Sequence, residues 1–572
     1  MNRLRPLFLI AAVVCAALLA YGLFTIPKPV PADSEEFSAA RVLKDIEVIS
    51  TGHHSVAHPQ ERAAVRDYLV GRLEGMGGKV SLFQYDSLTG PENKHVSYVF
   101  DAVDVLAEFP PVQASADDTY LMLVAHYDSR YSNPMPKDTV WSYGAADDGY
   151  GVGVILETVS QLLKDRSEWK QGVKVLFTDA EEVGMKGMTA IWENDRQVFD
   201  NVGLMINIEA RGTWGPALLF ETCPGNSKIM KLYADVAKSP YTYSLTTVVY
   251  SFMPNFTDFT IVKDHIPGMN FSTIADINTY HTDQDNFSNV NAKSVQHYGA
   301  QILPVALEYV TNPEYADKDF FKAESDTTNF TIPVLGLFNF SKTIYKIINI
   351  AVFILFLLVF ALEGLRGRVN AMGVFKTSCM LFFIAIGVLA LGELAAYVSA
   401  TIAGAGFKPF GIIQGVQADN VVMAVSIAVI FIVSCIVYCS LRSNAIRHRS
   451  NSMRASASRN AALKHAYTIL YGALALMFIL SLVLVFILGE NLMFFIPLAF
   501  ATFAMILWHV TSLRFWLLGA IFLILLHAFS FLFALAMALT IGAFGAVAML
   551  AFLDMMVLIP LADLYMMNLA KK

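Results

Sequence analysis

The sequence predicts an α/β domain with a mixed sheet flanked by helices, followed by an α-helical polytopic membrane domain. Two observations carry this prediction. Short apolar runs of strand length alternate with helix-like segments in the first 340 residues, which is typical of a sheet covered by helices. The 572-residue chain is 55% hydrophobic with a mean hydropathy of +0.50, and long apolar runs fill its second half. This composition indicates several membrane spans.

The first 26 residues are predicted to be a transmembrane anchor. Arg3 and Arg5 precede a continuous apolar run over Leu7–Ile26, which is long enough to cross a bilayer. A cleaved signal peptide is the alternative, although no clear cleavage site follows the run. The basic flank is expected to stay in the cytoplasm. Residues 27–340, the predicted α/β domain, would then lie on the opposite side of the membrane.

The elements of residues 27–340 follow from the alternation of apolar and polar residues and from Gly and Pro at the segment ends. The predicted strands are Lys79–Tyr85, Val96–Glu108, Leu121–Ala125, Val173–Thr178, Val202–Ile208 and Pro267–Ile274. The predicted helices are Glu36–Ile49, Pro59–Met76, Val152–Leu163, Ser227–Ala237 and Ala292–Val310. Residues 313–340 are interpreted as a connector.

Residues 341–572 are predicted to form a membrane domain of about seven transmembrane helices. The expected spans are 344–364, 375–398, 420–441, 466–488, 491–510, 514–535 and 541–565. With the anchor, this makes eight, and both termini lie in the cytoplasm. Basic residues agree, because Arg366, Arg368, Arg514, Lys571 and Lys572 all fall on the cytoplasmic side.

Charge and cysteine content exclude some classes of protein. A formal net charge of −7 does not indicate nucleic-acid binding. Cys223 is the only cysteine of residues 27–340, so that part holds no internal disulfide, and no cysteine pair has zinc-finger spacing. The sequence does not set the oligomeric state.

Candidate metal ligands follow three of the predicted strands. His126 and Asp128 come after the first buried strand, Glu181 and Glu182 after the second, and Glu209 after the third. Ligands in open α/β sheets bind beyond the carboxyl ends of the strands. We therefore expect these side chains to meet at one edge of the sheet.

Two further segments add to this set. Gly144–Gly149 is a glycine-flanked turn that contains Asp147 and Asp148, and Thr279–Asp283 contains Tyr280 and His281. Two imidazoles with several carboxylates exceed what a lone zinc requires, and they suit two metals that share a bridging acid.

The motifs HxD, GAxDDG, DAEEVGxxG, NxEARG and YHTxxD together resemble those of metallopeptidase family twenty-eight. The resemblance covers roughly residues 36–312, and the membrane spans are similar to the branch of endoplasmic-reticulum metallopeptidases and vacuolar membrane proteases. It implies a zinc-exopeptidase-like fold, two Zn²⁺ ions and a peptide substrate.

The resemblance also implies residue roles. The implied metal ligands are His126, Asp147, Glu182, Glu209 and His281. Asp147 would bridge the two ions next to a cis peptide bond with Asp148, and Glu181 would be the general base. Asp128 would orient His126, and Tyr280 would donate to the oxyanion. The alternatives are a helix-capping Asp-Asp turn, a solvated acidic turn at Glu181–Glu182 and core packing for Tyr280.

The predicted function is a membrane-anchored di-zinc exopeptidase, with aminopeptidase as the first choice. A carboxypeptidase, a glutaminyl-cyclase-like enzyme, a non-catalytic scaffold or receptor, and a transporter-associated protein are the alternatives. The expected location is a bacterial inner membrane, with the catalytic domain on the periplasmic, exoplasmic or lumenal side. The histidines outside the motifs are expected to be surface or helix-start residues.

Overall fold

The computed structural model describes residues 4–23, 27–90, 99–115, 118–130, 133–134, 139–251, 255–409, 411, 413–416, 419–447 and 455–567. Several residues named above lie outside these ranges. They are Arg3, residues 24–26 of the predicted anchor, the first part of the strand predicted over Val96–Glu108, Lys571 and Lys572, together with His95, one of the histidines outside the motifs. The described chain divides into two compact units. Residues 24–331 and 335–342 contain the large β-sheet, and we call them the sheet unit. Residues 1–23, 332–334 and 343–572 form the helical unit.

The helices are listed here in chain order. They are α1 (Arg5–Leu23), α2 (Ala39–Ile49), α3 (Pro59–Gly75), α4 (Gly149–Leu162), α5 (Lys186–Asn194), α6 (Ser227–Val236), α7 (Ser244–Ser251), α8 (Asp258–Val262), α9 (Ala292–Thr311), α10 (Lys342–Leu365), α11 (Ala371–Ala403), α12 (Asp419–Arg447), α13 (Ala455–Ile487), α14 (Leu492–Thr511), α15 (Phe515–Leu539) and α16 (Phe544–Met566).

The strands are β1 (Lys79–Thr89), β2 (Val99–Phe109), β3 (Tyr120–His126), β4 (Asn133–Pro134), β5 (Thr139–Val140), β6 (Gly172–Thr178), β7 (Val202–Ala210), β8 (Trp214–Thr222), β9 (Gly268–Ala275), β10 (Thr327–Ile332) and β11 (Gly336–Ser341). Seven of them form one sheet in the order β1-β2-β6-β3-β7-β9-β8. Its four central strands run parallel, and β1, β2 and β8 are antiparallel to their neighbours. The predicted mixed sheet is confirmed.

The central strands are buried along their whole length, as their unbroken apolar runs predict. Every residue of β3, β6, β7 and β9 is buried. The helix α4 packs against β3 and β7, and α2 and α9 pack against α4. These contacts fix the end of β3 relative to the start of α4, where the turn with Asp147 lies.

The sequence did not predict the strands β8, β10 and β11 or the helices α5, α7 and α8 of the sheet unit. Residues 313–340, interpreted as a connector, contain the paired strands β10 and β11. No strand was predicted in this connector, and the pair β10–β11 corrects that prediction. Four of the six residues of Thr327–Ile332 are polar, yet all six are buried. Thr331 and Asn329 are buried because they hydrogen-bond with Thr242 and Ser244.

The helical unit contains long apolar helices. Among the described residues, eight helices are long and apolar enough to cross a membrane, which is the number that the sequence predicts. Helix α13 begins at Ala455, well before the predicted residue 466. Helices α11 and α16 approach closely at Gly392, where a side-chain carbon would lie 2.6 Å from Gly545 Cα. This contact is the small-residue packing expected of membrane helices.

Candidate metal centre

The carboxyl ends of β3, β6 and β7 bring the candidate ligands together. Because β3 pairs in parallel with both neighbours, the three strands end at the same edge of the sheet. His126 is the last residue of β3, Glu182 follows β6 after a short turn, and Glu209 lies near the end of β7. The predicted convergence is present in the structure.

One group of possible metal ligands consists of His126, Asp147 and Glu209. His126 Nε2 lies 3.2 Å from Asp147 Oδ1 and 3.7 Å from Glu209 Oε2. The ligand atoms of the three residues all lie within 4.8 Å of one another, and all three residues are buried. Imidazole and carboxylate groups in this arrangement are the donors that zinc accepts.

A second group contains Asp147, Glu182 and His281. His281 Nε2 lies 3.2 Å from Asp147 Oδ2 and 3.1 Å from Glu182 Oε2. Asp147 therefore contributes one oxygen to each group. The other oxygen of Glu182, Oε1, is buried with no hydrogen-bond partner among the described residues. A buried carboxylate oxygen without a donor fits a site built for a cation.

The turn before α4 presents Asp147. The peptide bond between Asp147 and Asp148 is cis, as the resemblance implies. Asp148 is the N-cap of α4 and accepts a hydrogen bond from the Gly151 amide at 3.0 Å. Gly144 has a φ of +63°, and a side chain there would meet Ser129 and the Asp147 carbonyl at 3.0 and 3.1 Å.

Asp285 stabilises the same turn, although it belongs to neither ligand group. Its carboxylate accepts hydrogen bonds from the Ala146 amide at 2.7 Å, the Asp147 amide at 3.3 Å and the Ser142 hydroxyl at 3.0 Å. The sequence predicted no role for Asp285. The only sequence signal was its place as the last residue of the YHTxxD motif.

Asp128 positions the Glu181–Glu182 turn and only partly acts as predicted. Its carboxylate accepts hydrogen bonds from the amides of Glu181 at 2.9 Å and Glu182 at 3.3 Å. His126 Nδ1 is 2.9 Å from the main-chain oxygen of Asp128 and 3.5 Å from its carboxylate. The imidazole is thus oriented chiefly by the backbone carbonyl, because the carboxylate is engaged by the two amides.

Glu181 and Glu182 have different surroundings. Glu182 contacts His281 and also Arg130, whose Nη1 lies 3.2 Å from Glu182 Oε2. No hydrogen bond or ion pair involves the Glu181 carboxylate among the described residues. The two adjacent acids are thus available for separate roles.

The pKa values of these groups reflect burial and mutual charge. Burial raises the pKa of Glu181 well above its usual range, with His126 opposing and Glu209 adding to the effect. Burial likewise raises the pKa of Glu209 to about 8. Burial alone would raise the pKa of Glu182, but His281 and Arg130 bring it below its usual range. A divalent cation would favour the ionised form of all three.

Burial acts on the pKa values of the imidazoles in the opposite direction, because it disfavours their charged form. Burial lowers the pKa of His126, but hydrogen bonds to Asp128 and Asp147 outweigh it and raise the pKa well above its usual range. Burial also lowers the pKa of His281, and Glu182 and Asp147 together raise it above its usual value. Both imidazoles therefore favour the protonated form, and its positive charge lies where a metal cation would bind.

Tyr280 lies directly on a ligand of the second group. Its ring stacks on the His281 imidazole with a centroid distance of 3.6 Å and an interplanar angle of 25°. Burial, together with the charges of Asp147 and Glu182, raises the pKa of Tyr280 well above its usual range. The phenol therefore stays protonated and is able to donate a hydrogen bond.

Arg211 is another residue for which the sequence predicted no role. Arg211 Nη2 and Tyr250 Oη are both buried and have no hydrogen-bond partner among the described residues. The charges of Tyr250 and Tyr280 both act on Arg211, so the guanidinium lies near the two phenols. It follows Glu209 by two residues, at the same strand end.

The expectation for the remaining histidines is wrong at two positions. His54 and His297 are buried, at 3% and 0% exposure. The His54 backbone amide donates to Ser129 at 3.1 Å, and its Nδ1 lies 3.0 Å from the Gly52 carbonyl. Both histidines lie in polar hydrogen-bond networks that no hydrophobic pattern marks.

Comparison with known proteins identifies the family of this region. The model of Peptidase family M28 matches residues 104–306, so the chain contains an M28 peptidase domain. The putative endoplasmic reticulum metallopeptidase 1-A of Caenorhabditis elegans is 27% identical over 265 residues, which cover 44% of this chain and 28% of that protein. The vacuolar membrane protease of Eremothecium gossypii is 26% identical over 320 residues, which cover 52% and 29%. The chain thus matches under a third of the length of these curated relatives.

Two solved structures are each similar to about half of this chain. A Zn-dependent exopeptidase from Parabacteroides distasonis covers 48% of this chain and 99% of its own, with 18% identity and a TM-score of 0.38. The glutaminyl cyclase of Porphyromonas gingivalis covers 48% and 100%, also with 18% identity and a TM-score of 0.38.

Proposed function

We propose that this M28 metallopeptidase domain is a di-zinc exopeptidase held at a membrane by the helical unit. The observation that carries the proposal is the pair of ligand groups that share Asp147, one with His126 and Glu209 and the other with Glu182 and His281. A carboxylate that gives one oxygen to each group is the arrangement expected of a bridging ligand.

Two Zn²⁺ ions would be held by these five residues, and zinc at such a site supplies Lewis acidity and lowers the pKa of water. The donor set fits, because it consists of imidazole and carboxylate groups, all buried except the half-buried His281, with an orphaned oxygen on Glu182. Asp285 and Asp128 would fix the ligands by holding the backbones of the two turns that carry them.

Glu181 is proposed as the general base. Its carboxylate has no other partner among the described residues, and its backbone is held by Asp128 at 2.9 Å. It would accept a proton from the attacking water and deliver it to the nitrogen of the leaving amine. Tyr280, protonated and stacked on His281, would donate a hydrogen bond to the oxyanion.

Aminopeptidase activity is the first candidate, and it rests on the family resemblance of the motifs. A second candidate, cleavage next to a free carboxylate, is favoured by Arg211. A buried guanidinium nitrogen without a partner is costly, and a carboxylate ligand would satisfy Arg211 with two parallel hydrogen bonds. Tyr250 Oη would be a further donor to the same group.

The proposal includes the orientation in the membrane. Arg366, Arg368, Arg442 and Arg514 lie at or just beyond the ends of α10, α12 and α14, which alternation along the chain assigns to one side of the bilayer. The positive-inside rule makes this side cytoplasmic. The sheet unit would then face the periplasm, or an equivalent exoplasmic or lumenal space.

The test is hydrolysis of unblocked, N-acetylated and C-amidated peptides by the purified full chain, with zinc and with a chelator. We expect chelator-sensitive cleavage and a loss of about 10²–10⁴-fold in kcat for Glu181→Gln, because a general base is removed. Glu193→Gln changes an exposed glutamate of the same unit and is the matched control.

The peptide panel separates the candidates. Cleavage of unblocked and C-amidated peptides alone supports the aminopeptidase. Cleavage that requires a free C-terminal carboxylate and falls with Arg211→Gln supports the second candidate. Cyclisation of N-terminal glutamine without hydrolysis would indicate a glutaminyl-cyclase-like enzyme. Absence of both metal and cleavage would contradict the proposal and favour a scaffold, receptor or transporter-associated role.

A further inference from the structure

We propose that the helical unit carries a binding site for a phosphate group where α10, α13 and α14 meet. The phosphate would belong to an anionic phospholipid headgroup or to a free phosphate. The proposal rests on a cavity that two arginines line and a buried carboxylate organises. It is independent of the peptidase function.

The cavity has a volume of about 280 Å³. Its polar and aromatic lining consists of Arg366, Arg368, Tyr467, Trp508, His509 and Ser512. Since a water molecule occupies about 30 Å³ of liquid, this space is large enough for a phosphate group with some of its hydration. The cavity opens where α10 and α14 end, at Leu365 and Thr511.

Glu363 contacts both arginines and fixes their positions. Its side chain is fully buried, and its oxygens lie 2.9 Å from Arg366 Nη1, 3.0 Å from Arg368 Nη1 and 2.8 Å from His509 Nε2. One carboxylate faces two guanidinium groups that stay charged, so the cluster keeps a net positive charge. These contacts fix the direction of both guanidinium groups.

The arginines keep donors for a ligand. Their side chains are 45% and 37% exposed, and each uses only Nη1 in the contacts with Glu363. The remaining nitrogens of each guanidinium form a planar fork, which matches two oxygens of a phosphate. Arg368 is also 5.6 Å from the Tyr467 ring centroid, a cation–π contact that restricts its position.

The place in the membrane fits a headgroup. Trp508 and Tyr467 are aromatic residues near the ends of spans, where such side chains lie at the level of lipid headgroups. Basic pockets between helices on the cytoplasmic side are suited to anionic headgroups. A simple topology determinant would need exposed arginines, but neither a buried counter-carboxylate nor a cavity.

The test uses the purified full chain in a neutral detergent and follows its Tm. One arm adds phosphatidylglycerol, with phosphatidylcholine of the same acyl chains as its control. The other arm adds inorganic phosphate, with chloride at equal ionic strength as its control. A ligand that binds only the folded protein raises Tm, and we expect a rise of a few °C over the matched control in at least one arm.

The variants decide whether the cavity is responsible. Arg366→Gln should remove at least half of the Tm rise, whereas Arg366→Lys should retain part of it because the charge stays. The matched control is Lys376→Gln, which removes one positive charge from an exposed position near the start of α11. If Arg366→Gln does not fold, Arg366→Lys and the two ligand additions to the unaltered chain still test the proposal.

Each outcome bears on the proposal. A rise with phosphatidylglycerol alone supports a lipid headgroup, and a rise with inorganic phosphate supports a free phosphate as ligand. Equal rises with phosphatidylglycerol and phosphatidylcholine, and none with phosphate, would overturn the proposal. An equal loss in Lys376→Gln and Arg366→Gln would also overturn it, because the effect would then be general surface charge.

Discussion

The sheet unit and the helical unit treat buried charge in different ways. In the sheet unit, buried carboxylates accept hydrogen bonds from backbone amides, as Asp285 does from Ala146 and Asp147, and Asp128 from Glu181 and Glu182. In the helical unit, His527 is 2% exposed and neither ring nitrogen has a partner among the described residues.

The difference follows from the backbone. A turn or a strand end has amides that no other strand uses, so a nearby carboxylate obtains donors without another side chain. A helix in a bilayer uses its own backbone amides internally. A buried ionisable group there depends on other side chains, as Glu363 does on Arg366, Arg368 and His509. The active centre is therefore expected in the sheet unit, where buried charges are held in fixed positions.

The largest effect outside the ligands and the general base is expected from Asp285→Asn. Asparagine would replace one of the two acceptor oxygens by an N–H donor, so the amide of either Ala146 or Asp147 would lose its acceptor and the turn with Asp147 would shift. Residues that hold metal ligands typically contribute about 10–100-fold to metal affinity or activity. We expect a loss of this size in kcat/KM and in zinc affinity.

The control for Asp285 is Asp283→Asn, two residues earlier in the same loop, where the carboxylate is exposed and accepts from Gln284. Unchanged kcat/KM in Asp285→Asn would contradict the view that backbone amides held by a carboxylate position the centre.

A smaller effect is expected from the pH dependence of stability at His297. Its Nδ1 accepts from the Ala217 amide at 3.0 Å, and Nε2 donates to the Ser239 carbonyl at 2.8 Å, so the neutral ring fits and a second proton does not. Burial lowers the pKa of His297 from 6.5 to about 4. The unfolded chain thus binds more protons between these pH values, and stability falls as the pH is lowered through this window.

From these pKa values, His297 accounts for a loss of about 2 kcal/mol between pH 7 and pH 5. Thermal unfolding at the two pH values should show a smaller loss in His297→Gln than in the unaltered chain. His265→Gln, at an exposed histidine, should behave as the unaltered chain does. If the stability of all three proteins falls equally between pH 7 and pH 5, the loss does not come from His297.

The smallest expected effect is a gain in stability, and it comes from a residue of the helical unit. His527 stacks on Phe531 at 5.6 Å but has no polar partner among the described residues. Leucine would remove an unsatisfied polar group that costs about 1–3 kcal/mol when buried. We expect His527→Leu to raise Tm by a few °C and to leave peptidase activity unchanged.

His509→Leu provides the contrast within the same unit. It leaves the buried Glu363 with one partner fewer and should lower Tm. A fall in Tm for His527→Leu would instead mean that this imidazole has a functional or structural partner in the membrane.

The central strands and the convergence of candidate ligands could be predicted from the sequence because both follow from local patterns. An unbroken apolar run followed by His, Asp or Glu marks a buried strand and its end, as at His126 and Glu209. The shared use of Asp147 was implied only by the family resemblance, since residues so far apart in the chain set no distance by themselves.

The supporting contacts could not be predicted because they are long-range and polar. Asp285 reaches Ala146 across 139 residues, and Glu363 reaches His509 across 146, and neither pair has a periodic signal. The burial of His297, in α9, depends on the amide of Ala217, in β8. Strands β10 and β11 were missed because their inward residues include threonine and asparagine, which hydrogen bonds to Thr242 and Ser244 make compatible with burial.

Zinc content per chain tests the shared ligand most directly. The purified full chain, equilibrated with zinc and freed of excess metal, is measured by elemental analysis beside Asp147→Asn, Glu209→Gln and the exposed control Asp264→Asn. We expect two zinc ions in the unaltered chain and in the control, one in Glu209→Gln, and fewer than one in Asp147→Asn, because only Asp147 belongs to both groups. A single zinc in the unaltered chain, or two retained in Asp147→Asn, would contradict the account.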